Sequence, residues 1–343
     1  MVIMIKHLAS FALCAAALFP TFSQAKYQPV TIDNCGVTTT WQTPPQRVVT
    51  IGQHETELLL ALGLEKNIVG TAVWFGALPP SLQSAGKGLT RLAENAPGFE
   101  AVVAQRPDLV AAQYTYHVGE QGEVATRQQF SGLGINTWIA PADCVGKSLT
   151  AGSNGDGGRD KPFTLDLIYQ EIDALGKIFG VTDRASALAA TLRNRVAQAQ
   201  HTARDALKHN AQGSVVFWFS STRLNGDPWV AGSAGAPGWI ARTLGLTNII
   251  DTAEEWPAVS WETIARRDPD YIVLASMARR LYPADDVEQK LAFLRSDPVT
   301  REMTAVKRNR IIVVPAMSLN PSLRNVDAVE AISQRIAAFH TGS

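Results

Sequence analysis

Cysteine is scarce in this 343-residue chain, with three in all, at Cys14, Cys35 and Cys144. No two of them form a CxxC pair and no histidine cluster lies nearby, which argues against a thiol metal or redox centre. Charge of either sign has no surplus, because 31 Lys and Arg offset 31 Asp and Glu. That balance offers no basic footprint for nucleic acid and no polybasic membrane anchor. Also missing are a GxSxG elbow, an HExxH pair, a glycine-rich phosphate loop and a GxGxxG fingerprint. An enzyme is therefore the rival reading, not the first. His54-Glu55 lacks a second histidine four residues after the first, so it is a weak metal hint, and neither a resident metal nor a cofactor is expected.

Long apolar runs are short supply too. The longest early one, Leu8–Phe22, falls below the roughly 20 residues of a membrane-spanning helix. Lys6 and His7 precede it, and Ser23-Gln24-Ala25 then places small residues one and three positions before Lys26. This is the three-part pattern of a cleaved secretory signal over residues 1–25, and it predicts export to the periplasm. Cys14 leaves with that segment. Cys35 and Cys144 then reach an oxidising compartment, where a disulfide tying the N-terminal strand segment to the body of the first lobe is expected.

What the sequence does contain is the same half written twice. Val48–Ile51 and Val215–Trp218 read as buried strands, each followed by a helix ending on a glycine, at Ala61-Leu62-Gly63 and Thr243-Leu244-Gly245. Asn67-Ile68-Val69 and Asn248-Ile249-Ile250 follow as short strands. Glu100 stands seven residues before Pro107-Asp108, and Glu262 seven before Pro269-Asp270. Each Pro-Asp pair breaks a short helix and opens a buried strand, because proline cannot continue the helix. Ile135–Ile139 and Ile311–Val314 close the two halves.

Between the repeats lies a helical stretch. Leu165–Phe179 is amphipathic, and Arg184–Leu207 carries Leu188, Leu192, Val196, Ala199, Ala203 and Leu207 on one face without a Pro or Gly. The expected architecture is α/β: two Rossmann-like lobes with parallel sheets joined by one long rigid helix. The boundaries expected are an N-terminal lobe at 26–163, linker helices at 164–211 and a C-terminal lobe at 212–343, with Gly152–Lys161 as a surface loop.

In parallel α/β sheets, ligands sit at the carboxyl ends of the strands. That rule selects His54, Trp74, Phe75, Tyr114 and Tyr116 in the first lobe, and Trp218, Arg223, Trp229 and Trp256 in the second. Eight tryptophans, most of them in loops, suit a bulky, partly planar small-molecule ligand. Arg223 and Arg324 are candidates for an anionic group on it. Tyr114 and Tyr116 share one side of a segment read as extended, with His117 pointing away. They could supply phenolate or imidazole ligands to a bound iron; the side shared by the two tyrosines favours stacking on a complete chelate without touching its metal.

Arg47–Ile51, Thr56–Gly63, Ile68-Val69-Gly70 and the Pro107-Asp108 strand together resemble the periplasmic binding proteins of iron-siderophore, haem and cobalamin ABC importers. Asn34-Cys35-Gly36, Ala140–Cys144, Phe217–Ser221, Gly245–Ile249 and Arg324–Val329 are similar to a branch assigned to a coenzyme F-420 precursor. The two cysteine contexts recur together in that branch. The resemblance implies a monomeric solute-binding component that carries a ferric siderophore, corrinoid, haem or deazaflavin-like ligand to an ABC permease dimer. It also implies one exposed carboxylate per lobe for permease docking, drawn from Glu120 and Glu123 in the first lobe and Asp285, Asp286 and Glu288 in the second.

Overall fold

Alternating apolar strands build two sheets in the computed structural model, which describes residues 27–148, 156–207 and 213–341. The expected signal segment, and the start of the Gly152–Lys161 loop, lie outside the described residues. An antiparallel hairpin of β1 (Val30–Asn34) and β2 (Val37–Trp41) comes first. Next, β3 (Val48–Ile51), β4 (Ile68–Ala72), β5 (Arg91–Ala93), β6 (Leu109–Ala112) and β7 (Asn136–Ile139) form an all-parallel sheet in the order β5-β4-β3-β6-β7. A short pair, β8 (Lys147–Ser148) and β9 (Gly158–Arg159), leads away from it.

The second sheet contains β10 (Ser214–Ser220), β11 (Trp229–Val230), β12 (Thr247–Asn248), β13 (Tyr271–Ser276) and β14 (Ile311–Pro315). Its order is β11-β10-β13-β14, with β12 also on β10, and β11 alone runs antiparallel. The helices of the first half are α1 (Gln53–Ala61), α2 (Phe99–Val103), α3 (Thr115–Val118) and α4 (Arg127–Gly132). Then come α5 (Asp166–Ile178) and α6 (Thr182–Leu207), followed by α7 (Ala236–Thr243), α8 (Trp261–Arg267), α9 (Val287–Ser296), α10 (Thr304–Lys307) and α11 (Asn325–Thr341).

The two Pro-Asp pairs do the same job in each half. Asp108 accepts from the backbone N–H groups of Gln46 and Arg47 at 2.7 and 3.0 Å, fixing the start of β3. Asp270 accepts from the Ser214 N–H at 2.9 Å, fixing the start of β10. Side chains then alternate across each sheet. Val48 faces the layer containing α1, α5 and α6, whereas Val49 and Ile51 face the layer containing Phe130. Val215 and Phe217 face one side of the second sheet, and Val216 and Trp218 the other.

The helix α6 is the joint. Its 26 residues span about 39 Å at 1.5 Å per residue. Ala185, Ala189 and Leu192 on its first half pack into the core of the first sheet, and Ala199 and Ala203 into that of the second. Small residues let the helix lie close against both cores, and Arg195 clamps it to α11 through Asp327 at 2.7 Å and Glu330. A bridge of Cys35 to Cys144, with Cα atoms 5.8 Å apart, fastens the hairpin turn to the loop after β7. Asn34 reinforces it by exchanging hydrogen bonds with Ile139, at 2.8 and 2.9 Å.

Candidate ligand cleft

Both sheets point their carboxyl ends at the junction between the halves. Gly52, at φ 120°, makes the first turn, and a Cβ there would fall 2.3 Å from the Gln113 Cβ, so only glycine fits. The turn drives the first residues of α1 inward. Gln53, His54, Glu55, Thr56 and Glu57 are all buried. Gln53 holds the chain after β4 by accepting from the Phe75 and Gly76 N–H groups at 3.0 and 3.1 Å.

Several expected ligand residues are spent on this framework. His54 is enclosed, with Nε2 2.9 Å from Glu171 Oε2. The Arg324 guanidinium donates to Glu57, at 2.9 Å through Nε, and to the Ala77 carbonyl at 2.7 Å. Arg324 lines a crevice of about 290 Å³ between Ala77–Pro80 and β14 with α11, with its Nε and Nη2 already engaged. Trp218 is a core residue: β10 runs two residues past it, so alternation turns the ring inward against Trp261 and Phe293, and its Nε1–H donates to Ser221 at 2.8 Å. Trp256 is buried against Phe219, with ring centroids 4.4 Å apart.

The remaining aromatics face the junction. The Tyr114–His117 segment is not extended: Thr115–Val118 is a helical turn, which gathers three rings instead of splitting them. Tyr114 and Tyr116 stack at 5.4 Å with planes 14° apart, and the buried His117 lies 4.2 Å from the Tyr116 ring. Tyr116 is 41% exposed and Phe75 38%. In the second half, the half-buried Trp229 meets Tyr282, centroids 5.8 Å apart. Arg223 is exposed on the turn before Trp229, and Trp74 is mostly covered, with the Arg91 guanidinium 4.2 Å over its ring.

A charged floor completes the cleft. Lys147 reaches Asp143 at 2.5 Å and Glu255 at 3.6 Å, and the fully covered Arg159 also pairs with Glu255. Burial, then the neighbouring carboxylates, push the Tyr114 and Tyr116 phenols well above their usual range. Both therefore keep their protons and act as hydrogen-bond donors. Burial lowers His117 to about 4, partly offset by Asp143, so the imidazole is neutral. Burial, then Glu171, hold Glu55 well above the usual carboxylate range.

Arg279 and its neighbours were not foreseen from the sequence. Arg279, just past the end of β13, donates across the junction to the carbonyls of Trp74 at 2.5 Å and Glu94 at 2.8 Å, and to Asn95 Oδ1 at 2.6 Å. The strand-end rule, extended to the loop after β13, would have pointed to it. Lys147 and Glu255 had no comparable signal, because they meet from positions far apart in sequence.

Of the docking carboxylates, Asp285 is 1% exposed and accepts from Ser220 Oγ and the Ser221 N–H, so it is a structural residue. Asp286 caps α9 and pairs with Arg280 at 2.9 Å. Glu120 and Glu288 are exposed, and Glu123 is half-exposed, 3.5 Å from His117 Nε2.

Two α/β halves on a common helical strut, with an aromatic cleft at their facing strand ends, define a two-lobed solute-binding protein. The chain belongs to the periplasmic binding protein family, whose family model matches residues 48–317. A cobalamin-binding protein of Halobacterium salinarum is 24% identical over 304 residues, covering 88% of this chain and 71% of its own. The structure of an Fe3+-hydroxamate transport protein from Saccharomonospora viridis superposes with a TM-score of 0.68 at 26% identity, covering 90% of this chain and 98% of its own. A periplasmic haem-binding protein from Pseudomonas aeruginosa gives 0.65 at 23% identity, covering 87% and 94%. These relatives are binding proteins.

Proposed function

We propose that the chain captures a bulky, partly planar ligand, a ferric siderophore or a corrinoid-like cofactor, between its halves and hands it to an ABC permease. The observation carrying this reading is the stacked Tyr114–Tyr116 pair, open on the Tyr116 ring, with a second aromatic pair, Trp229 and Tyr282, at a strand end of the other half. Stacked, protonated phenols offer a flat apolar face with a donor at its edge, which suits a conjugated chelate. They suit direct ligation of ferric iron less well, because both phenols are held in the neutral form. His117, buried beneath Tyr116, is likewise placed to pack and not to ligate haem. Phe75, Trp74 and Arg223 complete the proposed contact set. Binding without turnover is the reading for this cleft.

The mature protein is proposed to be a periplasmic monomer starting at Lys26. Mass spectrometry of the protein recovered from its native compartment reads both the mature mass and the ligand that co-purifies. Titration of Trp fluorescence with ferric siderophores, cobalamin, a deazaflavin and hemin then ranks the classes. Tyr116→Ala should weaken the preferred ligand roughly fivefold, since aromatic stacking of this kind contributes on the order of 1 kcal/mol. Unchanged affinity in that variant, or a Soret band dependent on His117, would shift the reading to haem ligation.

A further inference from the structure

Beneath the first turn of α1 lies a group of side chains that the cleft does not use. His54, Glu55 and Glu171 each offer one ligand atom, and these atoms lie within 4.8 Å of one another. All three residues are enclosed, at 0–1% exposure. His54 Nε2 faces Glu171 Oε2 at 2.9 Å, and the other Glu171 oxygen accepts from the indole N–H of Trp138 at 3.0 Å. No donor from another described residue reaches either Glu55 oxygen; its hydrogen-bond partner is the Glu171 carboxylate, which a proton on Glu55 bridges.

Two adjacent buried acids, one of them without a donor from any other described residue, need a neutralising charge, which either a proton on Glu55 or a bound cation supplies. We infer that His54, Glu55 and Glu171 form a binding site for one divalent first-row transition cation, unrelated to the ligand carried in the cleft.

The chemistry of the set agrees with this. One imidazole and two carboxylates match a borderline cation such as Zn2+, whose charge is cancelled by the two acids. The Trp138 N–H holds Glu171 by the oxygen turned away from His54, as outer partners do when they orient a ligating carboxylate. Glu55, once its proton is displaced, supplies the third donor atom. His54 Nδ1 also lies 3.4 Å from the backbone N–H of Leu323, a residue of the second half. A cation on Nε2 would leave the imidazole proton on Nδ1, opposite that N–H. Occupancy and the long Leu323 contact therefore compete, so the ion would act on the junction between the halves.

The test uses the whole mature chain, stripped with chelator and titrated with ZnSO4 by calorimetry at pH 7. One Zn2+ per chain is expected, together with a rise in the unfolding midpoint of a few degrees. Glu55→Gln keeps the side-chain shape and every surface histidine, and should lose at least tenfold in Zn2+ affinity and the whole midpoint shift. Visible d–d bands of Co2+ bound to the unmutated chain are expected to appear at one equivalent and to bleach on adding Zn2+. That measurement stands whether or not the variant folds. Absence of stoichiometric Zn2+ and Co2+ binding overturns the inference. So does a Glu55→Gln protein that binds Zn2+ as tightly as the parent, which would place the ion on the exposed His201–Asp205 pair. A metal-indifferent Glu55→Gln protein more stable than the parent would assign the site to a proton on Glu55. None of these readouts depends on the identity of the cargo.

Discussion

His117 shows how one side chain can be costly and still useful. It sits under Tyr116, with Tyr114 on another side, Glu123 at 3.5 Å from Nε2, and Asp143 as the nearby charge felt by the ring. Burial lowers its pKa from 6.5 to about 4 in the folded chain. Between those values the unfolded chain takes up a proton that the folded chain refuses, so stability falls as pH drops from about 6.5 to 4 and is flat with respect to this group on either side. His117→Gln should remove up to one proton of that slope, read from denaturation midpoints collected across the window. An unaltered slope would show that the imidazole is already charged in the fold. Sequence alone placed Tyr114, Tyr116 and His117 at a strand end, where they are. It misjudged their grouping, because four residues cannot distinguish an extended segment from a single helical turn, and the Thr115 N–H bond to Asp143 that sets the turn at 2.6 Å comes from 28 residues away.

At the scale of elements the hairpin β1–β2 is anchored at several points, with Trp41 buried in the core of the first sheet and Ile32 packed against it. It is held to the first half by the Cys35–Cys144 bridge, by Asn34 and by Arg127, which donates to the Asn34 carbonyl and side chain at 2.8 Å each. Opening the bridge frees a loop of 109 residues, for which the chain-entropy account gives roughly 4–5 kcal/mol. Because Asn34 and Arg127 keep the hairpin docked, Cys35→Ser with Cys144→Ser should cost less, about 2–4 kcal/mol in a denaturant titration, with the far-UV spectrum unchanged. Loss of the folded spectrum would mean that the hairpin templates the sheet. Elements with a local signature were readable: the Pro-Asp strands, the glycine-ended helices and the uninterrupted α6. The inward turn of Trp218 was not, since it rests on β10 extending to Ser220, a boundary fixed by pairing with β11 and β13. The burial of His54 and Arg324 escaped for the same reason. Their partners Glu171 and Glu57 lie 117 and 267 residues away, and a charged residue at a strand end looks the same whether it faces ligand or a distant acid.

For the molecule as a whole, α6 belongs to both cores, and Arg279 straps the second half to the first. We expect a stiff pair of lobes whose radius of gyration changes only slightly on binding; a large compaction in solution scattering would place the joint elsewhere. Arg279→Ala should widen the unliganded distribution without unfolding it, because the residue is exposed and its acceptors can turn to water. Rigid lobes also bear on delivery. If a permease reads the loaded protein through one carboxylate per lobe, the two must keep a fixed separation, which a shared helix provides. Glu120 and Glu288 are exposed candidates, whereas Glu123 contacts His117. Exposed charges of this kind contribute orientation and association rate more than affinity. Glu120→Ala combined with Glu288→Ala should thus leave ligand titrations unchanged while slowing transport in reconstituted vesicles, most clearly at low ionic strength where screening is weakest. Transport at the parent rate across that salt range would remove both residues from the docking face and return the choice to Glu123 and Asp286.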